Sequence, residues 1–511
     1  MICSSQFMRL FRLAMILLVS LATIGPARAD QRHADATERR DSRTFQSLLA
    51  SHADVNGVQA DGATALHWAV YWDEGRTVEA LVAAGANVNA ANDHGVTPLA
   101  LAAQNRNDVI VHRLLAAGAN PNATVSTGES VLMTAARAGN PDVVKALLAR
   151  GAEVNSAEPG HGQTALMWAV SERHADIVLL LLNAGADASA RSRVRHRTVQ
   201  LSTRYGDQNS VRGVTEVDLG GFTPLLFAAR VGDVPSAGHL LAKGAQVNDA
   251  APGGASALVI AAHSGQTALA TFLLGLGADV NAHGAGYSAL HAAVLRGDLD
   301  LVKVLLARGA DPNLPLEKGT PSRYYSKDYA FNDNLVGATP FWLAARFGEP
   351  EIMSALAGAG ADPRAALPDG TTALMAAVIP TRGLGAFRLG DRRERYQGPA
   401  DIAAKADGED EALTIATASR AIDLGVDVNA ANKDGDTTLH MAAGLALGPA
   451  IEFLVKKGAS LGARNQKGLT PLTVTSARPE RGPQGQVVYG FLTAEERERT
   501  AKLLRRLGAT E

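Results

Sequence analysis

A two-helix pattern of apolar positions repeats along most of the chain. Residues 97–103 show its first half as Thr-Pro-Leu-Ala-Leu-Ala-Ala, and a second apolar stretch follows and ends at Gly-Ala. Most steps between successive copies are 32 to 34 residues. A period of this length predicts a solenoid whose units each pack one helix pair against the next. The central apolar residue of the copies stands at Leu66, Leu99, Leu132, Leu166, Leu225, Leu258, Leu290, Phe341, Leu374, Leu439 and Leu472.

Local signals within each unit agree with this period. The Thr that opens most copies is a common helix N-cap, and the Pro after it suits the first helical turn, where its missing N–H costs nothing. A glycine after the second helix suits a left-handed residue, which a side chain penalises. Each unit is therefore predicted as a turn, an inner helix, an outer helix and a glycine stop. These glycines are Gly85, Gly118, Gly151, Gly185, Gly244, Gly277, Gly309, Gly360, Gly425, Gly458 and Gly508.

Three copies of the motif carry a histidine in the fourth position. They end at His67, His291 and His440, in the forms Thr-Ala-Leu-His, Ser-Ala-Leu-His and Thr-Thr-Leu-His. With the 33-residue period, these segments resemble the ankyrin repeat family across nearly all of residues 43–511. The resemblance implies an all-α repeat solenoid of about 11 stacked ankyrin helix-turn-helix repeats plus terminal caps, with β-hairpin fingers. It also implies that the three histidines hold the fingers through hydrogen bonds.

The first 29 residues differ from the repeats. Arg9 and Arg12 precede an uncharged apolar run over residues 13–25, and Ala-Arg-Ala ends at Ala29. This order predicts a secretory signal peptide over residues 1–29. A membrane-spanning helix is not predicted, because 13 apolar residues are too few to span a bilayer. We therefore expect cleavage near Ala29 and a periplasmic or secreted chain.

The rest of the chain is predicted as a linker followed by one repeat domain. Residues 30–42 are expected to form the N-terminal linker, and residues 43–511 the ankyrin-repeat domain. An outer helix alone, within residues 45–56, is expected to cap one end. The charged helix within residues 493–507 suits a solvent-facing cap at the other end.

Four insertions interrupt the period. The first two fall between a closing glycine and the next motif, so they are predicted to lengthen fingers. The other two fall between an inner and an outer helix. Long loops on a rigid scaffold often carry function. The insertions lie near residues 191–219, 314–336, 380–411 and 476–492.

The first insertion alternates arginines with other residues. On an extended strand, Arg191, Arg193, Arg195 and Arg197 would share one face, and residues 211–219 would complete a hairpin. Such a cationic ribbon suits a carboxylate-rich or phosphate-bearing surface. The alternative is a solvated edge strand whose charges prevent aggregation.

The second insertion concentrates aromatic residues. Tyr324, Tyr325 and Tyr329 lie within six residues, close to Arg323. Tyrosine and arginine are favoured anchors of protein interfaces. The alternative is a local lid that packs on the repeats.

The family resemblance also implies a recognition surface. Partners of ankyrin proteins usually contact the fingers and the residues just after the Ala-Ala pair of each inner helix, in a concave groove. Trp68 and Trp168 occupy the fifth position of the motif, directly after the histidine position. There they either line a ligand groove or pack between inner helices. The partner-binding residues predicted at the groove are Tyr71, Trp72, Gln104, Asn105, Arg137, Arg230, His263, Arg296, Arg346 and Phe347.

Composition and charge exclude several classes of function. The formal net charge of −2 gives no field for nucleic acid. The only cysteine, Cys3, would leave with the signal peptide, so the mature chain would have no disulfide or thiol chemistry. Its histidines show no metal-ligand spacing, and no phosphate loop or nucleophile motif occurs.

These patterns predict an exported ankyrin-repeat scaffold that mediates protein–protein interaction. Catalysis, a cofactor, a metal, nucleic acid and stable membrane insertion are not expected, and the solenoid is expected to be monomeric. The alternative function is binding of an anionic envelope polymer or a small ligand through the arginine-rich insertion.

Overall fold

A computed structural model describes residues 31–202, 211–319, 335–378, 399–476 and 493–510. The chain divides into two compact units, which are treated separately below. The first unit includes the chain up to Ala138 together with Ala149–Ala152, and the second includes Gly139–Leu148 and everything from Glu153. The predicted signal peptide lies outside the described residues.

The first unit consists of short antiparallel helix pairs. Its helices are α1 (Arg32–Glu38), α2 (Ser42–Ala50), α3 (Ala65–Tyr71), α4 (Gly75–Ala83), α5 (Pro98–Gln104), α6 (Asp108–Ala116) and α7 (Val131–Ala138).

The second unit continues the same pairing and contains one two-stranded sheet. Its elements are α8 (Pro141–Ala149), α9 (Ala165–Ser171), α10 (Ala175–Asn183), β1 (Arg195–Ser202), β2 (Val211–Leu219), α11 (Pro224–Val231), α12 (Val234–Ala242), α13 (Ala257–His263), α14 (Thr267–Gly275), α15 (Ala289–Arg296), α16 (Leu299–Ala307), α17 (Pro340–Arg346), α18 (Pro350–Gly358), α19 (Ala373–Val378), α20 (Pro399–Asp423), α21 (Thr438–Gly444), α22 (Gly448–Lys456), α23 (Pro471–Val474) and α24 (Ala494–Arg506).

Most of the predicted linker, residues 30–42, is helical, so that prediction is wrong. Helix α1 packs against α2 and α3 and buries His33 and Ala34. The first unit therefore begins with a complete helix pair instead of an outer helix alone. The sequence did not reveal this first repeat because His33 stands where other repeats have an apolar residue. Arg40 precedes Asp73 by one period, and in the structure both residues have a positive φ, 56° and 63°.

The inner helices begin as their sequences predict. The Thr97 side chain accepts from the Ala100 N–H at 3.2 Å, and Pro98 fills the first turn. Thr339 and Pro340 start α17 in the same way. These caps satisfy N–H groups that a helix leaves unpaired at its start. Each inner helix is thereby fixed at the base of its finger.

The motif histidines connect each helix start to the next repeat. In the first unit, His67 Nδ1 accepts from the Thr64 N–H at 3.1 Å, and Nε2 lies 2.9 Å from the Val96 carbonyl. Because Nδ1 accepts, Nε2 carries the proton and donates to that carbonyl. His440 makes the equivalent contact to the Leu469 carbonyl at 3.0 Å. The predicted structural role is confirmed for these two histidines.

Glycines serve two different purposes. Gly118 follows an outer helix with φ 90° and has open space where a Cβ would lie, so its requirement is conformational. Gly95 has φ 72°, and a Cβ there would lie 2.8 Å from the Ser126 nitrogen. That nitrogen donates to the His94 carbonyl at 2.9 Å, which joins two successive fingers. Glycine at the finger therefore also permits close approach of the next finger.

Asparagine side chains join successive outer-helix ends, an arrangement that we call the asparagine clamp. Asn281 Nδ2 donates to the Gly309 carbonyl at 3.1 Å, and Asn281 Oδ1 accepts from the Asp311 N–H at 2.8 Å. Each clamp pairs the carbonyl of the glycine that follows the C-cap of the next outer helix. The corresponding donor bond to a glycine carbonyl is made by Asn56, Asn89, Asn122, Asn155, Asn248, Asn313 and Asn429.

Three of the four insertions lie at junctions that lack this asparagine. Ser189, Arg364 and Gly462 occupy the clamp position before the first, third and fourth insertions. Asn313 is retained before the second insertion and reaches the Gly360 carbonyl at 2.9 Å, 47 residues further along the chain. The clamp therefore does not depend on finger length. It is absent where the residue at this position is not asparagine.

The aromatic residues of the motif pack between inner helices. Trp68 is 6% exposed and donates to the Gln59 side chain at 2.7 Å, and Phe227 is 4% exposed. Trp168 and Ile260 are half-buried. For Trp68 and Phe227 the packing interpretation is therefore confirmed over the ligand groove.

The insertions fall where the period places them. The first forms the predicted hairpin, and at the second the Leu316 N–H donates to the Ala338 carbonyl at 2.8 Å, which forms a finger base. The third separates α19 from α20, and the fourth separates α23 from α24. Residues 399–411, predicted as part of the third insertion, instead lengthen helix α20.

Replacing Asn281 with alanine tests the clamp. Asn281→Ala removes two hydrogen bonds, each of which contributes about 0.5–1.5 kcal/mol net, so we expect a loss of about 1–3 kcal/mol in unfolding free energy. Urea unfolding monitored by circular dichroism measures it. The matched control is Asn183→Ala, an exposed asparagine at the end of α10. Equal effects of the two variants would contradict a special role for the clamp.

The buried motif histidines predict a pH dependence of stability. Burial lowers the pKa of His291 to about 4 in the folded chain, from the ordinary 6.5, and burial also lowers the pKa of His67 and His440. The unfolded chain therefore binds these protons more readily. Their stabilisation is present above pH 6.5 and is lost as pH falls towards 4.

We expect the urea midpoint to fall between pH 6.5 and 4.5. His291→Gln should reduce the slope of that decline, whatever its effect on stability at pH 7. His94→Gln, at an exposed finger position, is the matched control. An unchanged slope in the His291 variant would show that other groups cause the decline.

Candidate functional site

The inner helices are buried up to their last turn. In α5, residues 98–103 are buried, whereas Gln104 and Asn105 are exposed. In α11, residues 224–229 are buried and Arg230 is exposed. The small Ala-Ala pair allows close packing just before this point. The side chains at the last turn are therefore what each inner helix offers to solvent.

An aromatic pair stands at this position in the first unit. Trp72 is 39% exposed, and its ring packs edge-to-face against Tyr71 with centroids 4.9 Å apart. Trp72 Nε1 donates to the Glu38 carbonyl at 3.2 Å, and the Arg40 guanidinium lies 5.7 Å from the Trp72 ring centroid. Arg40 is held in turn by Glu74 at 2.9 Å. The exposed indole is thus fixed in place by the helix that sequence reasoning assigned to a linker.

Two predicted contacts of the first unit also have structural roles. Asn105 Nδ2 donates to the Val70 carbonyl at 2.8 Å, which ties one inner helix to the preceding one. Arg137 pairs with Glu129 at 2.8 Å and is half-buried. Gln104 remains exposed. Of these three residues, Gln104 has the side chain most open to a partner.

The corresponding position is basic in the second unit. The Arg230 guanidinium lies over the Phe227 ring, 5.3 Å from its centroid. His263 contacts the Tyr287 ring at 5.7 Å between centroids, and Arg296 Nη1 donates to the His263 carbonyl at 3.1 Å. These contacts orient the side chains along the last turns of α11, α13 and α15.

The next repeat corrects one prediction. Phe347 is only 7% exposed, so it is a packing residue and not a surface contact. It follows α17 directly, where the sequence pattern alone does not reveal which way the side chain points. Burial lowers the pKa of its neighbour Arg346 to about 10, so that guanidinium keeps its charge at neutral pH.

The arginines of the first insertion separate into two groups. Arg191 does not lie on the strand: its Nη1 donates to the Gly221 carbonyl at 2.9 Å and the Ala250 carbonyl at 3.1 Å, and it pairs with Asp249. The prediction that all four arginines share one strand face is therefore wrong for Arg191. Arg193 precedes the strand, and only Arg195 and Arg197 lie in β1, where both are exposed.

The preceding finger supports the base of this hairpin. Glu158 is 8% exposed, and its carboxylate accepts from the N–H groups of Gly160 at 2.6 Å, His161 at 2.8 Å and Gln163 at 3.1 Å. The His161 carbonyl in turn accepts from the Arg193 N–H at 2.6 Å. The strand thus starts from a fixed point. Sequence reasoning missed Glu158 because a lone carboxylate before Pro-Gly carries no motif.

The tyrosines of the second insertion, Tyr324, Tyr325 and Tyr329, lie outside the described residues. Their predicted role at an interface stays a prediction.

The titratable side chains of the described residues do not form a metal site. No group of three His, Cys, Asp or Glu side chains is placed to hold a metal ion within the described ranges. Among those same ranges, no helix has the length and apolarity needed to cross a bilayer. His67 and His440 use both ring nitrogens in the hydrogen bonds that hold the fingers. The arrangement is suited to binding.

Comparisons with known proteins agree with this architecture. The family model for ankyrin repeats matches residues 34–125, 107–192 and 225–315. Mouse ankyrin repeat and SOCS box protein 16 is 28% identical over 208 residues, which cover 38% of this chain and 41% of that protein. The human protein of the same name is 29% identical over 208 residues. This chain therefore spans about two fifths of the length of these curated relatives.

A solved structure is also similar. The ankyrin repeat domain of human ASB11 is 24% identical, with a TM-score of 0.38, and the match covers 47% of this chain and 96% of that domain. The family model and the relatives agree with the ankyrin-type repeat predicted from the sequence period. Residues 34–192 and 225–315 of this chain are therefore ankyrin repeats.

Proposed function

We propose that this protein is an exported ankyrin-repeat scaffold that binds a protein partner and has no catalytic activity of its own. In each unit, the partner contacts a groove formed by the last turns of that unit's inner helices, together with the fingers and insertions. The observation that carries the proposal is the exposure pattern: buried inner helices end in exposed Trp72, Gln104 and Arg230.

The chemistry of these residues favours a protein partner. Tryptophan, tyrosine and arginine dominate binding energy at protein interfaces. Trp72 is already held by the Glu38 carbonyl and by Arg40, so little conformational entropy is lost when it binds. A rigid aromatic anchor beside polar side chains is typical of an interface core with its rim. We further propose that the solenoid acts as a monomer and binds neither nucleic acid nor a cofactor.

Export rests on the N-terminal sequence and on cysteine usage. Residues 1–29 have the order of a secretory signal, and the chain beyond Ala29 contains no cysteine. A protein that folds in an oxidising compartment without cysteine must be stabilised by packing and hydrogen bonds. The asparagine clamps and capped helices supply these. The proposed location is the periplasm or the extracellular medium.

Site-specific photo-crosslinking tests the proposed groove. In the first unit, benzoylphenylalanine at Trp72 or Gln104 should form an adduct with a single partner, whereas the same group at Val109 should not. In the second unit, Arg230 is compared with Leu276. Val109 and Leu276 are 55% and 50% exposed, and they belong to the outer helices or their ends, so they control for surface access.

With the purified partner, Trp72→Ala should weaken binding at least about tenfold, because interface tryptophans are frequent hot spots. Surface plasmon resonance measures the change. Val109→Ala, in the same unit, is expected to leave the affinity within about twofold. Adducts that form equally at Val109 and Trp72 would argue against the groove.

Processing of the N-terminus tests export separately. Mass spectrometry of the chain from the periplasmic fraction of a bacterial host should find a polypeptide that begins at Asp30. Leu17→Arg interrupts the apolar run and should leave an unprocessed cytosolic chain, whereas Ser5→Arg, in the basic region, should not. An unprocessed wild-type chain confined to the cytosol would refute export without affecting the binding proposal.

A further inference from the structure

The register of the β1–β2 hairpin separates its charges by face. Arg195 is paired with Leu219, and Arg197 with Val217. The intervening pairs are His196 with Asp218 and Thr198 with Glu216. Paired residues share a face and neighbouring residues alternate. Arg195 and Arg197 therefore lie on one face, the cationic face, and both hairpin carboxylates lie on the other.

On the opposite face, one of the two carboxylates is hydrogen-bonded within the hairpin. His196 Nδ1 lies 2.6 Å from an Asp218 carboxylate oxygen. A shift of one residue in the register would instead have placed Asp218 and Glu216 beside the arginines. The observed register leaves Arg195 and Arg197 exposed, and no acidic side chain among the described residues forms an ion pair with either. This separation favours a ligand over a self-paired, merely solvated strand.

The cationic face also stands on a fixed base. The Ser192 N–H donates to the Phe222 carbonyl at 3.0 Å, and the Arg193 N–H donates to the His161 carbonyl of the preceding finger. Arg191 ties the same base to the Asp249 carboxylate of the following finger. The hairpin is therefore anchored on both sides. Charges that are held in position recognise spacing as well as sign.

We propose that the cationic face binds an extended acidic segment of the protein partner, with carboxylates on alternate residues. The inference rests on the proposed scaffold function and names the partner's chemistry at this site. Side chains two residues apart on a strand are about 6.8 Å apart, and carboxylates at alternate positions of an extended peptide share that spacing. Each guanidinium can then pair with one carboxylate, in a bidentate contact.

The charges favour a short peptide over a long polyanion. Among the side chains that the structure describes, Arg195 and Arg197 form a small cationic patch on the strands, whereas binding to nucleic acid requires an extended basic surface. Glu216 and Asp218 lie on the reverse face of the same hairpin, and Glu158 and Asp249 lie at its base. A polymer that followed the hairpin beyond the arginines would meet these carboxylates. A peptide segment of a few residues would not.

Peptide binding tests the proposal with the purified chain. The probe is a fluorescein-labelled peptide that repeats Glu-Val-Glu-Thr, which places all its carboxylates on one face. The matched peptide repeats Glu-Glu-Val-Thr and has equal charge, but its carboxylates are divided between both faces. Anisotropy should show binding of the first peptide at least about fivefold tighter than the second, and weaker binding as salt rises.

Charge reversal locates the site. Arg195→Glu with Arg197→Glu should weaken binding of the alternating peptide at least about tenfold. Lys243→Glu with Lys303→Glu, at exposed outer positions of the same unit, changes net charge equally and should have less than about a twofold effect. Asp218→Asn, on the opposite face of the hairpin, should also bind within about twofold. Retained binding by the Asp218 variant excludes loss of the hairpin as the general cause.

Three results would overturn the proposal. These are no salt-sensitive peptide binding, equal loss in the lysine control, or tighter binding of single-stranded oligothymidine or polyphosphate than of the alternating peptide. The last result would assign the face to a polyanion. If one of these three results is obtained while the groove crosslinks of the unmodified chain persist, the scaffold function survives and this inference alone fails.

Discussion

The hydrogen bond from an asparagine side chain to the glycine carbonyl of the next repeat is the contact on which this structure depends most. The connection after each outer helix exposes backbone groups that belong to no helix or sheet. In the clamp, Asn281 pairs with the Gly309 carbonyl and the Asp311 N–H together. One side chain thus joins the connections of two neighbouring repeats. Stability in each unit is then a sum over junctions.

Contacts within the repeats also leave few positions of each inner helix available for the proposed binding. Thr caps, motif histidines and finger glycines use the polar groups at the start of each inner helix, and close packing buries its middle. Only the last turn remains to vary freely. Trp72 in the first unit and Arg230 in the second occupy this position with different chemistry. A conserved frame can therefore present a surface specific to one partner.

Insertions add chemistry where the frame tolerates it. Before the first insertion, Ser189 stands where other repeats have the clamp asparagine. Arg191 supplies other contacts there, to the Gly221 carbonyl and to Asp249 of the following finger. An arginine that sequence reasoning assigned to binding thus holds the hairpin in place. This division of roles is sensible physically, because a ligand-binding strand needs a fixed base. Arg195 and Arg197 lie beyond that base and remain exposed.

The sequence by itself determined the repeat period, the helix caps, the finger histidines and the places of the insertions. These follow from local rules that act within a few residues or recur at a fixed step. The tertiary structure decided which polar residues form contacts within the repeats. It placed His33 in a capping helix, buried Phe347, and set the hairpin register that separates arginines from carboxylates. Burial and register depend on neighbours distant in sequence, and no local pattern encodes them.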